Sequence, residues 1–140
     1  MGSWSDIDRS QGYRTWRVYG DSKLANILHA EALASRLRGS GVVAHSVHPG
    51  SVRTSFGRDG DTTGATGALM QLNWVAHRLG LLLSPAEGAA TPVHVATAAE
   101  AGATSGLYWR RCRPARVAPW ARRPGAVALA QLRRMVASAL

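Results

Sequence analysis

The chain has 140 residues, 46% of them apolar, and a formal net charge of +9 at neutral pH. This composition is typical of one folded domain and excludes a disordered or fibrous protein. No apolar run reaches the roughly 20 residues of a membrane-spanning helix, and the first residues lack the pattern of a secretory signal. We therefore expect a cytoplasmic protein without a membrane span. Cys112 is the single cysteine and has no neighbours at metal-ligand spacing, so no metal site is predicted.

The positive charge lies almost entirely in the last forty residues. Residues 1–100 carry nine basic and eight acidic side chains, whereas residues 101–140 carry eight arginines and no acid. A basic segment that also contains Trp109 and Trp120 could contact nucleic acid or another anionic partner. Charge runs are more often simply solvated, so nucleic-acid binding is not the favoured interpretation.

The first predicted helix covers residues 19–38 and follows a polar segment that predicts a loop. Its apolar residues recur every three or four positions, and Gly39 and Gly41 follow as stop signals. Residues 42–48 are rich in β-branched side chains and precede Pro49 and Gly50, which predicts a buried parallel strand. A helix followed directly by a strand indicates the α/β class.

Residues 51–66 are rich in Gly, Ser, Thr and Asp and predict a loop. The helix after this loop is predicted from five apolar residues that share one face: Leu69, Leu72, Val75, Ala76 and Leu79. Residues 106–109 predict a short strand, and residues 126–139 predict a last helix.

A third helix is predicted to begin after Ser84. Ser84 and Glu87 have the spacing of a capping box, and Pro85 occupies the first helical position. This helix is expected to reach about Ala99 and to bend at Pro92, which cannot donate a backbone hydrogen bond.

Tyr19 and Lys23 are four residues apart, so a helix places both side chains on one face. Lys23 is the only lysine beside sixteen arginines. A tyrosine has a pKa near 10, which must fall by about 3 units before it can act as an acid or base near neutral pH. An ammonium group is a compact charge that suits this task better than a guanidinium. The spacing alone equally fits an exposed lysine beside a half-buried tyrosine.

The segment from His48 to Thr54 follows the predicted strand directly. Ligands of open α/β sheets bind at the carboxyl ends of strands. Pro49 and Gly50 force a turn there, which leaves the backbone near Val52 and the hydroxyl of Thr54 able to hydrogen-bond a planar amide. The order of a Tyr-x-x-Ser-Lys helix, a glycine stop, a strand and His-Pro-Gly-x-Val-x-Thr is more specific than either motif alone.

In this order the motifs resemble those of the short-chain dehydrogenase/reductases, particularly their retinol-dehydrogenase-like group. The matching segments are residues 19–26, 41–54, 84–92 and 106–108. The resemblance implies the carboxyl half of a Rossmann-type, doubly wound parallel sheet, which is incomplete by itself. Residues 1–109 are then the carboxyl-terminal part of a dinucleotide-binding oxidoreductase domain, and residues 110–140 are an arginine-rich tail that includes the predicted last helix.

The resemblance also implies the roles of particular residues. Tyr19 is the expected general acid and base, and Lys23 is expected to lower the pKa of Tyr19 and to bind the nicotinamide ribose. The cofactor-binding residues that it implies are Tyr19, Lys23, Pro49, Gly50, Val52 and Thr54. The expected cofactor is NAD or NADP, without a stated preference, and the expected substrate is a small carbonyl compound or alcohol.

Family members carry a glycine-rich phosphate loop and a catalytic serine before the tyrosine helix. Only eighteen residues precede Tyr19, and Ser22 is interpreted as a helix-packing residue and not as that serine. The chain is therefore expected to be a truncated or split oxidoreductase that lacks its amino-terminal half, with an exposed edge on strand 42–48. The alternative is a catalytically inactive remnant or a binding module whose basic tail contacts nucleic acid or an anionic partner.

Overall fold

The structure is a computed structural model, and it describes residues 12–52, 75–76, 79 and 82–117. The elements in chain order are α1 (Thr15–Arg36), β1 (Ser46–His48), α2 (Pro85–Thr97), α3 (Ala99–Gly102), β2 (Tyr108–Arg110) and β3 (Arg113–Ala115). The strands form one sheet in the order β1-β2-β3. Helices that flank a mixed sheet confirm the predicted α/β class.

Helix α1 begins four residues earlier and ends two residues earlier than the predicted helix over residues 19–38. Its amino end carries no side-chain cap, because the N-cap residue Arg14 has no side-chain hydrogen-bond acceptor. The predicted stop is confirmed, since Leu37 closes the last turn onto Leu33 and Gly39 then takes a φ of +84°. Leu24 and Leu28 are the buried residues by which α1 joins the core.

Strand β1 is shorter and less buried than the strand predicted over residues 42–48. It covers Ser46–His48, and its three residues are half-buried. Val42 and Val43 are 56% and 41% exposed. The prediction of a buried strand is wrong because, within the described residues, β1 pairs only with β2 and its outer edge has no neighbour to cover it. The expected exposed edge is thereby confirmed for the part of the chain described.

Helix α2 begins as predicted. The hydroxyl of Ser84 accepts a hydrogen bond from the backbone N–H of Glu87 at 3.2 Å, and the Glu87 carboxylate accepts one from the backbone N–H of Ser84 at 2.7 Å. The helix ends at Thr97, because Ala98 is extended before the short α3. The expected bend at Pro92 stays a prediction.

Strand β2 lies parallel to β1, as predicted, but covers residues 108–110 where the sequence indicated 106–109. A two-residue turn then leads into β3, which pairs antiparallel with β2. Arg111 and Cys112 form this turn with φ angles of 53° and 56°. The sequence carries no signal for this hairpin, because such turns normally contain Gly, Asn or Asp.

Trp109 on β2 is the largest fully buried side chain among the described residues, with 1% of its surface exposed. The rings of His45 and His94 both lie 5.7 Å from it, centroid to centroid. His45 also accepts hydrogen bonds at Nδ1 from the Trp109 indole and from the backbone N–H of Leu107, both at 3.2 Å, and its Nε2 lies 3.0 Å from the carbonyl oxygen of Ala101. This histidine therefore ties β1, β2 and α3 together.

Three predictions fall wholly or largely outside the described residues. They are the loop over residues 51–66, the helix assigned from Leu69 to Leu79 and the last helix over residues 126–139. Within the ranges that the structure does describe, no helix combines the length and the apolar character needed to cross a membrane.

Candidate active-site edge of the sheet

The lengths of two elements indicate that the predicted motifs lie toward the same end of the sheet. From Arg36 back to Tyr19, α1 covers about 25 Å, and the run from Val42 to Gly50 covers at most about 26 Å in the return direction. Helix α1 contacts β1. Tyr19 is therefore expected at about the level of Pro49 and Gly50, which follow the carboxyl end of β1.

Tyr19 and Lys23 share one face of α1, as the four-residue spacing predicts. The Lys23 ammonium lies over the Tyr19 ring, 5.2 Å from its centroid. This separation is within the range of a cation–π interaction. Tyr19 is 40% exposed and Lys23 is exposed, so a ligand at this edge can reach both side chains.

Ser22 lies between these two residues in sequence, but its hydroxyl serves its own helix. It donates a hydrogen bond to the backbone carbonyl of Tyr19 at 2.8 Å. The residue is exposed. Its interpretation as a helix-packing residue, and not as the catalytic serine, stays a prediction.

The turn after β1 is held by His48. Its Nδ1 accepts a hydrogen bond from the backbone N–H of Gly50 at 2.9 Å. Gly50 has a φ of +93°, and a Cβ at this position would lie 2.7 Å from Cδ1 of Leu83. Glycine is therefore favoured at position 50 by its conformation, whereas the Leu83 methyl group, at the end of an exposed side chain, could move aside for a Cβ.

Val52 is fixed by the segment that precedes α2. The backbone N–H of Leu83 donates to the carbonyl of Ser51 at 2.9 Å, and Val52 and Leu83 form a parallel bridge. In this register the N–H and C=O of Val52 point to the side opposite Leu83. This orientation is the one expected of backbone groups that bind a planar amide. Thr54, the other predicted amide ligand, lies outside the described residues.

The sheet places three basic side chains in one row at this edge. His48 on β1 is in register with Arg110 on β2, which is in register with Arg113 on β3. Residues in register share a face of the sheet, so the three side chains are neighbours. Sequence reasoning did not place Arg110 and Arg113 beside His48, since only the strand register reveals their position.

The charge of Arg110 acts on both ionisable groups beside it. Burial lowers the pKa of His48, and the Arg110 guanidinium lowers it further. Burial raises the pKa of Tyr108, and Arg110 opposes that change. The rings of His48 and Tyr108 are 6.4 Å apart, so burial, and to a smaller extent Arg110, favour the neutral form of His48 beside this aromatic ring.

A cavity of about 480 Å³ lies at the other end of β1. It is lined by residues near the end of α1, by the turn that leads to β1 and by the loop that leads to β2: Glu31, Ala34, Ser35, Leu37, Arg38, Gly39, Gly41, Val42, Val43 and residues 102–106. Burial raises the pKa of Glu31 at this cavity. None of the predicted site residues lines it, so the cavity is separate from the candidate site.

Curated proteins similar to this chain include two human retinol dehydrogenases. Retinol dehydrogenase 14 of Homo sapiens is 34% identical over 118 residues, which are 84% of this chain and 34% of that protein. Retinol dehydrogenase 12 of Homo sapiens is 36% identical over 122 residues, with the same two shares. Dehydrogenase/reductase SDR family member 13 of Bos taurus is 35% identical over 106 residues, which are 76% of this chain and 27% of that protein.

The chain spans about a third of the length of the curated relatives it matches. No protein-family model matches it, and no solved structure matches it either. The identities to several relatives agree with the order of motifs in the sequence and with the helix, strand and turn that carry them. The chain therefore belongs to the short-chain dehydrogenase/reductase family, in its retinol-dehydrogenase-like group.

Proposed function

We propose that this chain forms part of an NAD(P)-dependent oxidoreductase of the short-chain type, which interconverts an alcohol and a carbonyl compound. The observation that carries the proposal is the contact between the Lys23 ammonium and the Tyr19 ring, 5.2 Å from its centroid. The lengths of α1 and β1 favour a position of this pair near the turn after β1, where the bridge to Leu83 fixes the backbone of Val52. Membership of the family supports the same function.

The proposed proton transfer uses the hydroxyl group of Tyr19. In alcohol oxidation, the Tyr19 phenolate takes the proton of the substrate hydroxyl, and the carbon atom gives up a hydride to become a carbonyl carbon. In the reverse direction, Tyr19 donates the proton to the carbonyl oxygen. Lys23 supplies a positive charge near the phenolate and a donor for a ribose hydroxyl.

The residues present fit a nicotinamide group. The N–H and C=O of Val52 point away from Leu83 and offer one donor and one acceptor, the complement of a carboxamide. The bound cofactor would supply or accept the hydride. The conformation of Gly50 and its contact with Leu83 hold the turn that presents these groups.

The substrate we propose is a primary alcohol or its aldehyde. The names of the relatives refer to retinol, which makes retinol and retinal the first compounds to test. The relatives are about three times as long as the matched region. We propose that a polypeptide segment corresponding to the unmatched part of these relatives pairs with the outer edge of β1 and completes a Rossmann-type sheet. The same segment would supply the phosphate loop and the catalytic serine.

The proposal is tested by joining the chain to the part of human retinol dehydrogenase 12 that precedes the matched region. The fusion should reduce retinal with NADH or NADPH, and Tyr19→Phe should lower kcat/KM by roughly 100-fold or more. Tyr13→Phe is the matched control, because Tyr13 is 65% exposed and lies before α1. Equal activity of the Tyr19→Phe variant and the unaltered fusion would exclude the assignment.

A second candidate function is favoured by the arginines of the β2–β3 hairpin. Arg110 and Arg113 are direct cross-strand partners, a placement in which like charges repel. Arg111 and Arg116 are exposed close by, so an anionic partner would relieve this repulsion. The candidate is a binding module for a nucleic-acid backbone.

This second function predicts DNA binding that weakens steeply with salt. If all four arginines contact phosphates, the slope of log K against log salt should be about −3 to −4. Exchange of Arg110, Arg111 and Arg113 for Gln should abolish DNA binding. The control variant, which also loses three positive charges, has Gln at Arg14, Arg17 and Arg38 and should bind DNA more tightly than the first variant. No binding at low salt excludes this function.

A further inference from the structure

The turn that carries the candidate nicotinamide contacts depends on one ionisable side chain. His48 Nδ1 accepts the N–H of Gly50 two residues later, which is the pattern by which Asn and Asp stabilise turns. An imidazole nitrogen accepts a hydrogen bond only when it carries no proton. The contact therefore exists only while His48 is neutral, with its proton on Nε2.

We propose that His48 is a positioning residue that holds the cofactor turn in place as a neutral imidazole and releases it on protonation. The role in cofactor binding rests on the proposed function, whereas the hydrogen bond itself does not. No contact of His48 with the substrate is invoked, since it acts through Gly50 on Val52.

The turn has two supports, and His48 provides the one nearer to β1. Past Gly50, the carbonyl of Ser51 is bonded by Leu83, and Val52 packs against Gly88 on α2. Before Gly50, Pro49 has no backbone N–H to donate. The bond from Gly50 to His48 thus fixes the first half of the turn, where the chain leaves the sheet.

The surroundings of His48 favour its neutral form. Burial is the main cause of its lowered pKa, and the charge of Arg110, in register on β2, acts in the same direction. Tyr108 contacts its ring, and Arg113 lies one strand further across the same row.

Helices α1 and α2 also contact β1. The ionisable residues on the first turns of these two helices are Arg17, Tyr19, Asp21, Lys23 and Glu87. The lowered pKa of His48 has burial as its main cause and the charge of Arg110 as the second. Arg110 on β2 is therefore the charged residue whose removal is tested below.

The direction of the pH effect follows from the lowered pKa. The folded-state pKa of His48 lies below its ordinary value of 6.5, so the unfolded chain binds the proton more readily. The stabilisation from neutral His48 is complete above about pH 6.5. It declines as the pH falls from there and is lost below the folded-state pKa.

The experiment is an NMR titration of the Gly50 amide in the full chain between pH 8 and pH 4. In the unaltered chain, the Gly50 amide should shift with the same midpoint as the His48 ring. His48→Asn keeps an acceptor at the equivalent position and does not titrate, so this variant should hold the Gly50 resonance at its high-pH position throughout. His48→Ala should show the released position at every pH.

Two arginine variants test the electrostatic control. Arg110→Gln should raise the midpoint of the Gly50 transition, whereas Arg113→Gln, with the same change in net charge, should raise it less. The proposal is overturned if the Gly50 resonance does not respond while His48 titrates, or if His48→Asn shows the transition of the unaltered chain.

The proposed role of His48 in cofactor binding is tested by measuring the KM for NADH of the fusion with retinol dehydrogenase 12. In the unaltered fusion, KM should rise as the pH falls, and the midpoint of this rise should equal that of the His48 titration. In the His48→Asn fusion, KM should not change over the same pH range. The change of kcat with pH should be the same in both fusions. A KM that passes this midpoint unchanged overturns the positioning role. An inactive fusion counts against the proposed function instead, and the Gly50 titration still decides whether His48 holds the turn.

Discussion

Gly88 on α2 lies so close to Val52 that a Cβ at position 88 would overlap with the Val52 side chain, being 3.0 Å from one methyl group and closer to the other. This contact joins the first turns of α2 to the turn that follows β1. This close contact requires a residue without a side chain at position 88. Gly88 therefore sets the distance between the helix and the candidate cofactor turn.

Gly88→Ala is expected to destabilise the chain by about 1–3 kcal/mol, the usual cost of overpacking. Gly20→Ala is the matched control, because Gly20 lies inside α1 and a Cβ at this position would meet nothing within 4 Å. Alanine should stabilise the helix there by roughly 1 kcal/mol. Urea unfolding of both variants measures the difference. A stability gain of the same size in both would show that the contact with Val52 is not tight.

His45→Phe is expected to cost about 2–4 kcal/mol. The ring would still pack near Trp109, but the N–H groups of Trp109 and Leu107 would lose their shared acceptor, and each unpaired buried donor costs about 1–3 kcal/mol. Thermal or urea unfolding checks this value. His29→Phe is the control on the exposed face of α1, and an equal loss there would mean that the hydrogen bonds of His45 are not the cause.

The hairpin turn between β2 and β3 offers a stabilising change. Arg111 and Cys112 both have positive φ angles, which cost a residue with a side chain roughly 1–2 kcal/mol each. Exchange of the pair for Asn and Gly, the preferred residues of this turn, should raise the free energy of unfolding by about 1 kcal/mol or more. The hydrogen bond to Thr91 Oγ1 is donated by the backbone N–H of residue 112, so it should remain when the side chain is exchanged.

The control for the hairpin variant is Arg116→Asn, which removes one positive charge outside the turn. If it stabilises the chain equally, the gain comes from reduced charge repulsion and not from the turn conformation. The hairpin variant should also leave the Gly50 amide at its original NMR position, since it does not alter His48.

Glu31 should make stability depend on pH in the acidic to neutral range. Burial raises its folded-state pKa above the ordinary value of 4.5, so the folded chain holds this proton more tightly than the unfolded chain. The associated stability is fully present below pH 4.5 and is lost as the pH rises through the folded-state pKa. Glu31→Gln should therefore remove this decline. Unfolding curves between pH 4 and 7 give the free energy of unfolding of the variant and of the unaltered chain. If this free energy changes with pH equally in both, burial of Glu31 does not affect stability.

The sequence was sufficient for features that depend on neighbouring residues. The capping box of α2, the glycine stop after α1 and the presence of a strand before Pro49 and Gly50 each follow from local chemistry. The same is true of Tyr19 and Lys23, since a four-residue spacing on a helix defines one face.

Features that depend on pairing between distant segments were not predictable from the sequence. The row of His48, Arg110 and Arg113 exists because of the register of three strands. The shortening of β1 has the same origin, because β-branched residues indicate a strand but do not say whether both of its edges are paired. The β2–β3 hairpin was missed because its turn uses residues that are unusual at positive φ.

The position of β1 at the edge of the described sheet has a consequence for its individual amide protons. The N–H of Ser46 points to β2, where the Leu107 carbonyl accepts it at 3.0 Å, and the alternation of a parallel ladder directs the N–H of Val47 outward. Exchange of the Val47 amide with deuterium therefore measures the occupancy of that edge. If a strand from this chain or from another pairs with this edge, hydrogen exchange of the Val47 amide should become slower. The exchange rate of the Ser46 amide should not change.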